Sequence, residues 1–208
     1  MIDAAQTRTT ILVAACETIA ELGFEKVRMR NVAERAGVST ALLHYHFENR
    51  EKLFHEALRY TFETVGREEY EAPAPAENPH AWRLARIIDS SLPMDEDTRR
   101  DGLLWQELWL RAARDKESRE FTHWLYAELR DWIGGVIAEG VAAGSFGPCD
   151  PRRVADLVLV LTDGYSVHLA FGDPAFDLQA AETTIWRLVS AELGLTVPFP
   201  RRHPDGSS

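Results

Sequence analysis

Disulfides are the first thing this chain has little means to build. Its 208 residues include two cysteines, Cys16 and Cys149, far apart and without CxxC or Cys/His ligand spacing. Neither a disulfide framework nor a zinc site is expected, and reduced thiols in a cytosolic protein are the simplest reading. The opening MIDAAQTRTT has no basic start and no apolar core, so it does not read as a secretory leader. Long apolar runs are also missing. The most apolar stretch, residues 154–172, is broken by Asp156, Asp163 and His168, which suits a buried helix better than a membrane span. A cytoplasmic protein with no membrane contact is expected. No GxSxG, P-loop, GxGxxG or HExxH is present. Cys16 lies among apolar neighbours and reads as packing rather than as a nucleophile. His44 and His46, two apart on a helix, point about 200° from one another and cannot share a metal. No enzyme, catalytic residue, metal or cofactor is expected.

Positive charge is scarce as well. Lys and Arg total 23 against 33 Asp and Glu, a formal net charge of -10. Taken as an average this argues against nucleic acid, because phosphate binding needs clustered cations. The distribution reverses that reading. Residues 1–55 hold seven Lys/Arg and seven Asp/Glu, leaving 16 and 26 for the rest, so the remainder carries the whole deficit. A neutral first segment is joined to an acidic one that DNA would avoid.

Helical periodicity dominates, and no segment alternates with a strand's period of two. Ile11, Leu12, Ala15, Ile19 and Leu22 mark a first helix stopped by Gly23. Met29, Val32, Ala33 and Ala36 mark a short second helix ended by Gly37. Ser39 is a good N-cap for a third, and Asn49 for a fourth that runs through Leu53, Ala57 and Tyr60. The connector EAPAPAENP, residues 71–79, has three prolines and cannot continue a helix. Further helices are expected from Trp82 to before Pro93, from about Gly102 to Arg114, and from about Ser118 to Ala143. Asp150-Pro151 and Asp177 start two more. The tail VPFPRRHPDGSS reads as disordered. The division expected is 1–55, 56–197 and a disordered 198–208. The fold class is all-α: a three-helix helix-turn-helix domain, then a larger helical domain.

The informative chemistry lies in MRNVAERAGVSTALLHYHF, residues 29–47. Two short helices meet at Ala36-Gly37-Val38-Ser39, where Gly37 supplies a positive φ and Val38 an apolar wedge. On a helical wheel Thr40, Ala41, His44 and Tyr45 share one half of the third helix, while Leu42, Leu43, His46 and Phe47 form the core half. The first half is small or polar and suits a major groove about 12 Å wide. Arg30 can reach a phosphate or a guanine edge. Arg50 and Lys52 open the fourth helix, where free N–H groups and the helix dipole favour phosphate.

These residues carry a resemblance. GFEKVRMRNVAERAGVS, HYHF and ENREKLF, within residues 8–60, resemble the N-terminal DNA-binding domain of the TetR family of transcriptional regulators. The resemblance implies that Arg30, Thr40, Ala41, His44 and Tyr45 touch bases or flanking backbone, with Ser39 at the helix start. His46 and Arg50 would contact phosphate, although the wheel also allows His46 to be a satisfied core histidine. The family usually has Thr at the N-cap of the second helix. Here it is Arg28, which weakens the cap and offers one more cation to a phosphate.

Later in the chain, LLWQELWLRAARDKESR resembles the C-terminal domain of the choline-responsive repressors of betaine synthesis. That resemblance implies a homodimer joined through its last two long helices. All six tryptophans lie after residue 80. Trp105, Trp109, Phe121, Trp124 and Tyr165 are candidate pocket walls, with Asp163, His168, Asp89 or His123 as polar handles. Aromatic faces plus a carboxylate would suit a cation such as a quaternary amine. The same tryptophans at helical spacing equally describe core packing. The function expected is a DNA-binding regulator, chiefly a repressor, released from a pseudo-palindromic double-stranded operator by a small-molecule effector. The alternative is a small-molecule sequestering protein whose helix-turn-helix no longer reads DNA.

Overall fold

The computed structural model describes the backbone of residues 4–71, 74 and 77–200, and the side chains of all of these but 65–71. Among the described residues every regular element is helical: α1 (Ala4–Leu22), a 3-10 turn (Phe24–Lys26), α2 (Met29–Ala36), α3 (Thr40–His46), α4 (Arg50–Glu71), α5 (Pro79–Ser90), α6 (Glu96–Ala112), α7 (Lys116–Ala142), α8 (Pro151–Ala170) and α9 (Leu178–Glu192).

The stops and starts follow from local chemistry. Asn49 Oδ1 accepts the Lys52 N–H at 2.8 Å, and Asp177 Oδ1 accepts that of Ala180 at 2.7 Å. Asp150 Oδ1 accepts the N–H groups of Arg152 and Arg153 at 3.0 and 3.3 Å, with Pro151 in the first helical position. Each bond satisfies a donor that a helix start leaves orphaned. One start was misjudged. The sixth helix begins at Glu96 rather than near Gly102 because Asp95 and Thr98 cap it reciprocally. Asp95 Oδ1 accepts the Thr98 N–H at 2.8 Å, and Thr98 Oγ1 accepts the Asp95 N–H at 3.0 Å.

The chain packs into two compact units, and the first is not one continuous segment. It comprises Met1–Val65 with Arg100–His123, and the second Gly66–Arg99 with Trp124–Ser208. A boundary near residue 55 falls inside α4, whose backbone runs unbroken to Glu71. The first unit buries Ile11, Leu12 and Ile19 of α1, Phe24, Leu43, Phe54 and Leu58, with Leu104 and Leu108 of α6. The second is centred on Leu84, Ile88, Ile133, Ile137, Val158, Ile185 and Val189.

The end of the chain is more ordered than its composition suggests. Trp186 Nε1 donates to the Val197 carbonyl at 2.9 Å, and the Phe199 ring stands perpendicular to Trp186 at 5.5 Å. Arg86 donates to the Pro200 carbonyl and lies over the Trp82 and Phe199 rings. The expectation of disorder therefore fails for 197–200, because a buried guanidinium and a tryptophan N–H both take acceptors there. Its remainder, 201–208, lies outside the described residues.

Arg86 is also paired with Asp89 at 2.9 Å, with the two side chains only 2% and 3% exposed. Removing one member of such a pair strands a charge out of water, whereas replacing both does not. Asp89→Ala is therefore expected to lower unfolding stability by about 3 kcal/mol. The double variant Arg86→Met/Asp89→Leu should recover most of that loss. Urea midpoints at neutral pH measure both, and equal losses would contradict this account.

Candidate nucleic-acid interface and effector site

The helix-turn-helix is held by its turn and by a small core. Gly37 adopts φ 67° and ψ 27°, and its N–H reaches the carbonyls of Ala33 and Glu34. The Val38 N–H bonds to the Ala33 carbonyl at 3.0 Å. Ser39 Oγ then accepts the Leu42 N–H at 3.1 Å and starts α3. Behind this turn Val32, Ala33, Leu43 and Phe47 are buried.

Thr40, Ala41, His44 and Tyr45 are all exposed, and Tyr45 keeps 81% of its surface in solvent. His46 is half-buried, edge-on to Tyr45 at 5.3 Å. Leu42 was assigned to the core half but is 38% exposed. In a seven-residue helix only Leu43 and the following Phe47 reach inward.

The cations around this face are less free than their sequence positions imply. Arg30 pairs with Glu34 at 3.4 Å on the surface. The guanidinium of Arg28 has no acceptor to offer as a cap. Instead Asn31 Oδ1 accepts the Arg28 N–H at 3.0 Å, while Arg28 Nη1 donates to the Glu25 and Val27 carbonyls. Lys52 meets Glu117 at 2.9 Å, which raises the affinity of its amine for the proton. Arg50 is turned inward, its Nη1 donating to the carbonyls of Phe24, Glu25 and Val27. Two further arginines, to which the sequence reading gave no contact, are also engaged. Arg8 bridges to Glu56 at 2.6 Å and lies over the Phe47 ring. Arg35 joins α2 to Glu17 and Glu21 of α1, and holds the Glu21 carboxyl below its usual range.

The seven candidate effector residues divide between the two units. Trp105, Trp109 and Phe121 belong to the first, and Trp124, Asp163, Tyr165 and His168 to the second. Trp105 and Trp109 lie 6.4 Å apart at 43°. Phe121 stacks on the buried His55 at 4.3 Å, and burial lowers the pKa of that imidazole. Trp124 is 37% exposed.

In the second unit Asp163 Oδ2 accepts the Tyr126 hydroxyl at 2.5 Å, and burial pushes its carboxyl up to about 6. The nearby Arg130 points its Nε to Asp156 at 2.5 Å instead. Tyr165 stands edge-on to Phe176, and His168 stacks on Phe176 at 4.2 Å while its Nδ1 meets Asp173 at 2.9 Å. Tyr126 and Phe176 were not singled out from sequence. Tyr126 could have been, as it sits two residues after Trp124 on the same helix. A cavity of about 450 Å³ in the same unit is lined by Pro93, Arg99, Leu178 and residues 169–172, and includes none of the seven. Asp89 is committed to Arg86, and His123 is exposed.

Among the described residues no group of three or more His, Cys, Asp or Glu could hold a metal ion. No described helix is long and apolar enough to cross a membrane. Burial pushes the Cys16 thiol up to about 12, so it offers no thiolate for chemistry.

Comparison with known proteins places both halves of the chain. Residues 11–57 match the family model of bacterial regulatory proteins of the tetR family, and residues 80–194 match that of the BetI-type transcriptional repressor C-terminal domain. The HTH-type transcriptional regulator BetI of Agrobacterium fabrum is 25% identical over 178 residues, 86% of this chain and 84% of that protein. A TetR-family regulator from Rhodococcus sp. superposes with a TM-score of 0.78 at 24% identity, covering 91% of this chain and 99% of its own. A transcriptional regulator from Saccharomonospora viridis, solved in complex with choline, gives 0.71 at 22% identity, over 89% and 96% of the two chains. These structural likenesses establish the fold. The named relatives are transcriptional regulators, not enzymes.

The raised pKa of Asp163 has a measurable consequence. Its carboxyl binds a proton more tightly folded than unfolded, so the stabilisation is complete below the ordinary value of 3.8 and is lost as pH rises to about 6. Asp163→Asn keeps an acceptor for Tyr126 without the charge. It is expected to gain stability over wild type as pH rises from 4 to 7, by about 1–3 kcal/mol at neutrality. Thermal melts across that range measure the difference, and a constant offset would contradict it.

Proposed function

This chain belongs to the TetR family of bacterial regulators, with a BetI-type repressor C-terminal domain, and on that basis we propose that it acts as a homodimer on a pseudo-palindromic operator in the cytoplasm. Residues 1–55 read DNA, and residues 56–197 bind the effector and dimerise. The observation that carries this is the solvent face of α3. Thr40, Ala41, His44 and Tyr45 project from a helix capped at Ser39 and anchored by Leu43 and Phe47. Nothing in the core needs a tyrosine 81% exposed, whereas a groove-facing tyrosine has both a hydroxyl and an apolar ring to offer bases.

The α3 of each subunit enters a major groove, with half-site centres about 34–36 Å apart or a multiple of that. Arg28, Arg30 and Ser39 flank the face, and His46 and Lys52 lie toward phosphate. The surface pairs Arg30–Glu34 and Lys52–Glu117 are solvent-exposed and screened by salt, so a phosphate can displace the carboxylate at small cost. Dimerisation through α8 and α9 is supported by Val160 on α8, which is 70% exposed, and by Phe171 just beyond it at 65%. Apolar groups so displayed gain from a partner surface.

The effector is a small organic cation held at Asp163 beside Tyr126, and Tyr165 and His168 of the same helix are further candidate contacts. A part-buried carboxylate hydrogen-bonded by a neutral hydroxyl gains from a cationic ligand. The choline bound to the S. viridis regulator supports the same chemistry. A ligand that binds the DNA-incompetent state 100-fold more tightly shifts the equilibrium by about 2.7 kcal/mol.

Gel shift at fixed salt with the DNA flanking its own gene is the direct test. Wild type is expected to bind and Arg30→Ala/Tyr45→Ala to bind about 100-fold more weakly, from about 1–3 kcal/mol per lost base contact. Equal binding by the two proteins would show that the assigned face does not read DNA.

A further inference from the structure

The turn between α1 and α2 is gripped from two sides. The Phe24 ring is fully buried and is met by two guanidinium groups, with the Arg50 Cζ 4.2 Å and the Arg111 Cζ 3.9 Å from its centroid. Arg50 opens α4, and Arg111 lies in the last turn of α6. Two cations flanking one ring repel unless carboxylates intervene, and they do. Arg111 Nη1 meets Glu25 at 3.2 Å and its Nη2 meets Glu51 at 4.0 Å, while Glu51 is also 3.5 Å from Arg50.

One turn earlier on α6, Glu107 faces the same place. A Cβ built on Gly23 would lie 3.1 Å from Glu107 Oε1, at a residue whose φ of +72° already favours glycine. With Arg50 Nη1 on the carbonyls of Phe24, Glu25 and Val27, Gly23, Phe24, Glu25 and Val27 are each approached from α4 or α6. This short turn leads directly into α2. Moving it moves α2, and with it α3, which is joined to α2 through Gly37–Ser39.

We propose that Arg111 is a positioning residue for DNA reading: it sets the orientation of α2 and α3 through Phe24 and Glu25 without touching DNA. Arg50 acts with it rather than as a phosphate ligand. This rests on the DNA-reading function above. Surface arginines exchange partners cheaply, but Arg111 has a side chain only 15% exposed and lies against a buried ring. A cation desolvated over an aromatic face is held far more firmly than one in solvent.

Full-length Arg111→Met, Arg111→Lys and Arg50→Met test this with two readouts. The first is amide hydrogen exchange of the protein alone. Arg111→Met should lose protection over residues 23–31 and keep it over α8. The second is affinity, per active molecule by stoichiometric titration, for the duplex flanking its own gene across a salt series. Arg111→Met should bind about tenfold more weakly, and both Met variants should keep the wild-type salt slope. A lost phosphate contact would instead lower that slope by about 0.9, and a merely destabilised protein would lose active fraction rather than affinity. Arg111→Lys keeps a cation over the ring but cannot fork between Glu25 and Glu51, so it should fall between Met and wild type. Wild-type protection over 23–31 in Arg111→Met, or a slope reduced by about one in either Met variant, overturns the proposal. Should Arg111→Met fail to fold, wild-type protection and affinity in Arg111→Lys overturn it equally. A wild type that binds no duplex overturns the DNA-reading function, and the exchange measurement still decides the clamp.

Discussion

A helix of seven residues cannot hold itself in place. Helices shorter than about 12–15 residues are marginal in water because the first turn fixes several dihedral angles for one hydrogen bond. α3 therefore takes its order from its surroundings: Leu43 and Phe47 are buried beneath it, Ser39 caps its start, and Gly37 fixes its angle to α2. The outer face contributes nothing to that order, which frees Thr40, Ala41, His44 and Tyr45 to be chosen for what they meet outside. The dependence continues inward. α3 leans on α2, α2 follows from the turn at Phe24, and that turn is fixed by side chains from α4 and α6. The orientation of a reading helix is thus decided several contacts away from any base.

Charge in the first unit follows the same division of labour. The neutral balance of residues 1–55 does not describe cations held ready for DNA, since each assigned pair is already made within the protein. Arg35 spends its charge on Glu17 and Glu21, Arg8 on Glu56, and Arg50 on backbone carbonyls. Among the described residues 4–55, Arg30 and Lys52 sit in open surface pairs, with side chains 77% and 53% exposed, and Lys26 is exposed. Such pairs are weak and screened by salt, so their cations remain available. An acidic remainder leaves little non-specific attraction, and on the proposed reading most discrimination comes from the fit of α3 itself.

Much of this architecture was legible in the sequence where a single residue type decides a single geometry. Gly37, Ser39, Asn49, Asp150 and Asp177 mark helix ends because only a few side chains can accept an orphan N–H or adopt a left-handed backbone, and each does so here. The sixth helix was started too late because Asp95 and Thr98 cap each other, a reciprocal signal that neither residue announces alone. Leu42 was misassigned because a wheel assumes a helix long enough to complete its face. The roles of Arg50 and Arg111 were hidden for a different reason. Residues 24, 50 and 111 meet only through tertiary packing, and no periodicity connects positions so far apart.

The second unit shows why burial alone does not identify a binding group. Arg86 and Asp163 are both charged residues withdrawn from water, but their surroundings differ. Arg86 has the Asp89 carboxylate, the Pro200 carbonyl and the faces of Trp82 and Phe199 about it, so its charge is answered within the fold. Asp163 has the Tyr126 hydroxyl, a neutral donor, while Arg130, whose charge also reaches it, bonds to Asp156. The hydroxyl and the Arg130 charge together lower the carboxyl's pKa less than burial raises it, which leaves it near 6. A group in that condition has two ways to relax, by binding a proton or by binding a cation, and the two exclude each other. On the effector reading proposed above, affinity for a cation at this site is tied to the proton, rising as the carboxyl ionises and levelling off once it has. The fold answers the charge of Arg86 with a carboxylate, and that of Asp163 with a neutral hydroxyl and an arginine bonded elsewhere.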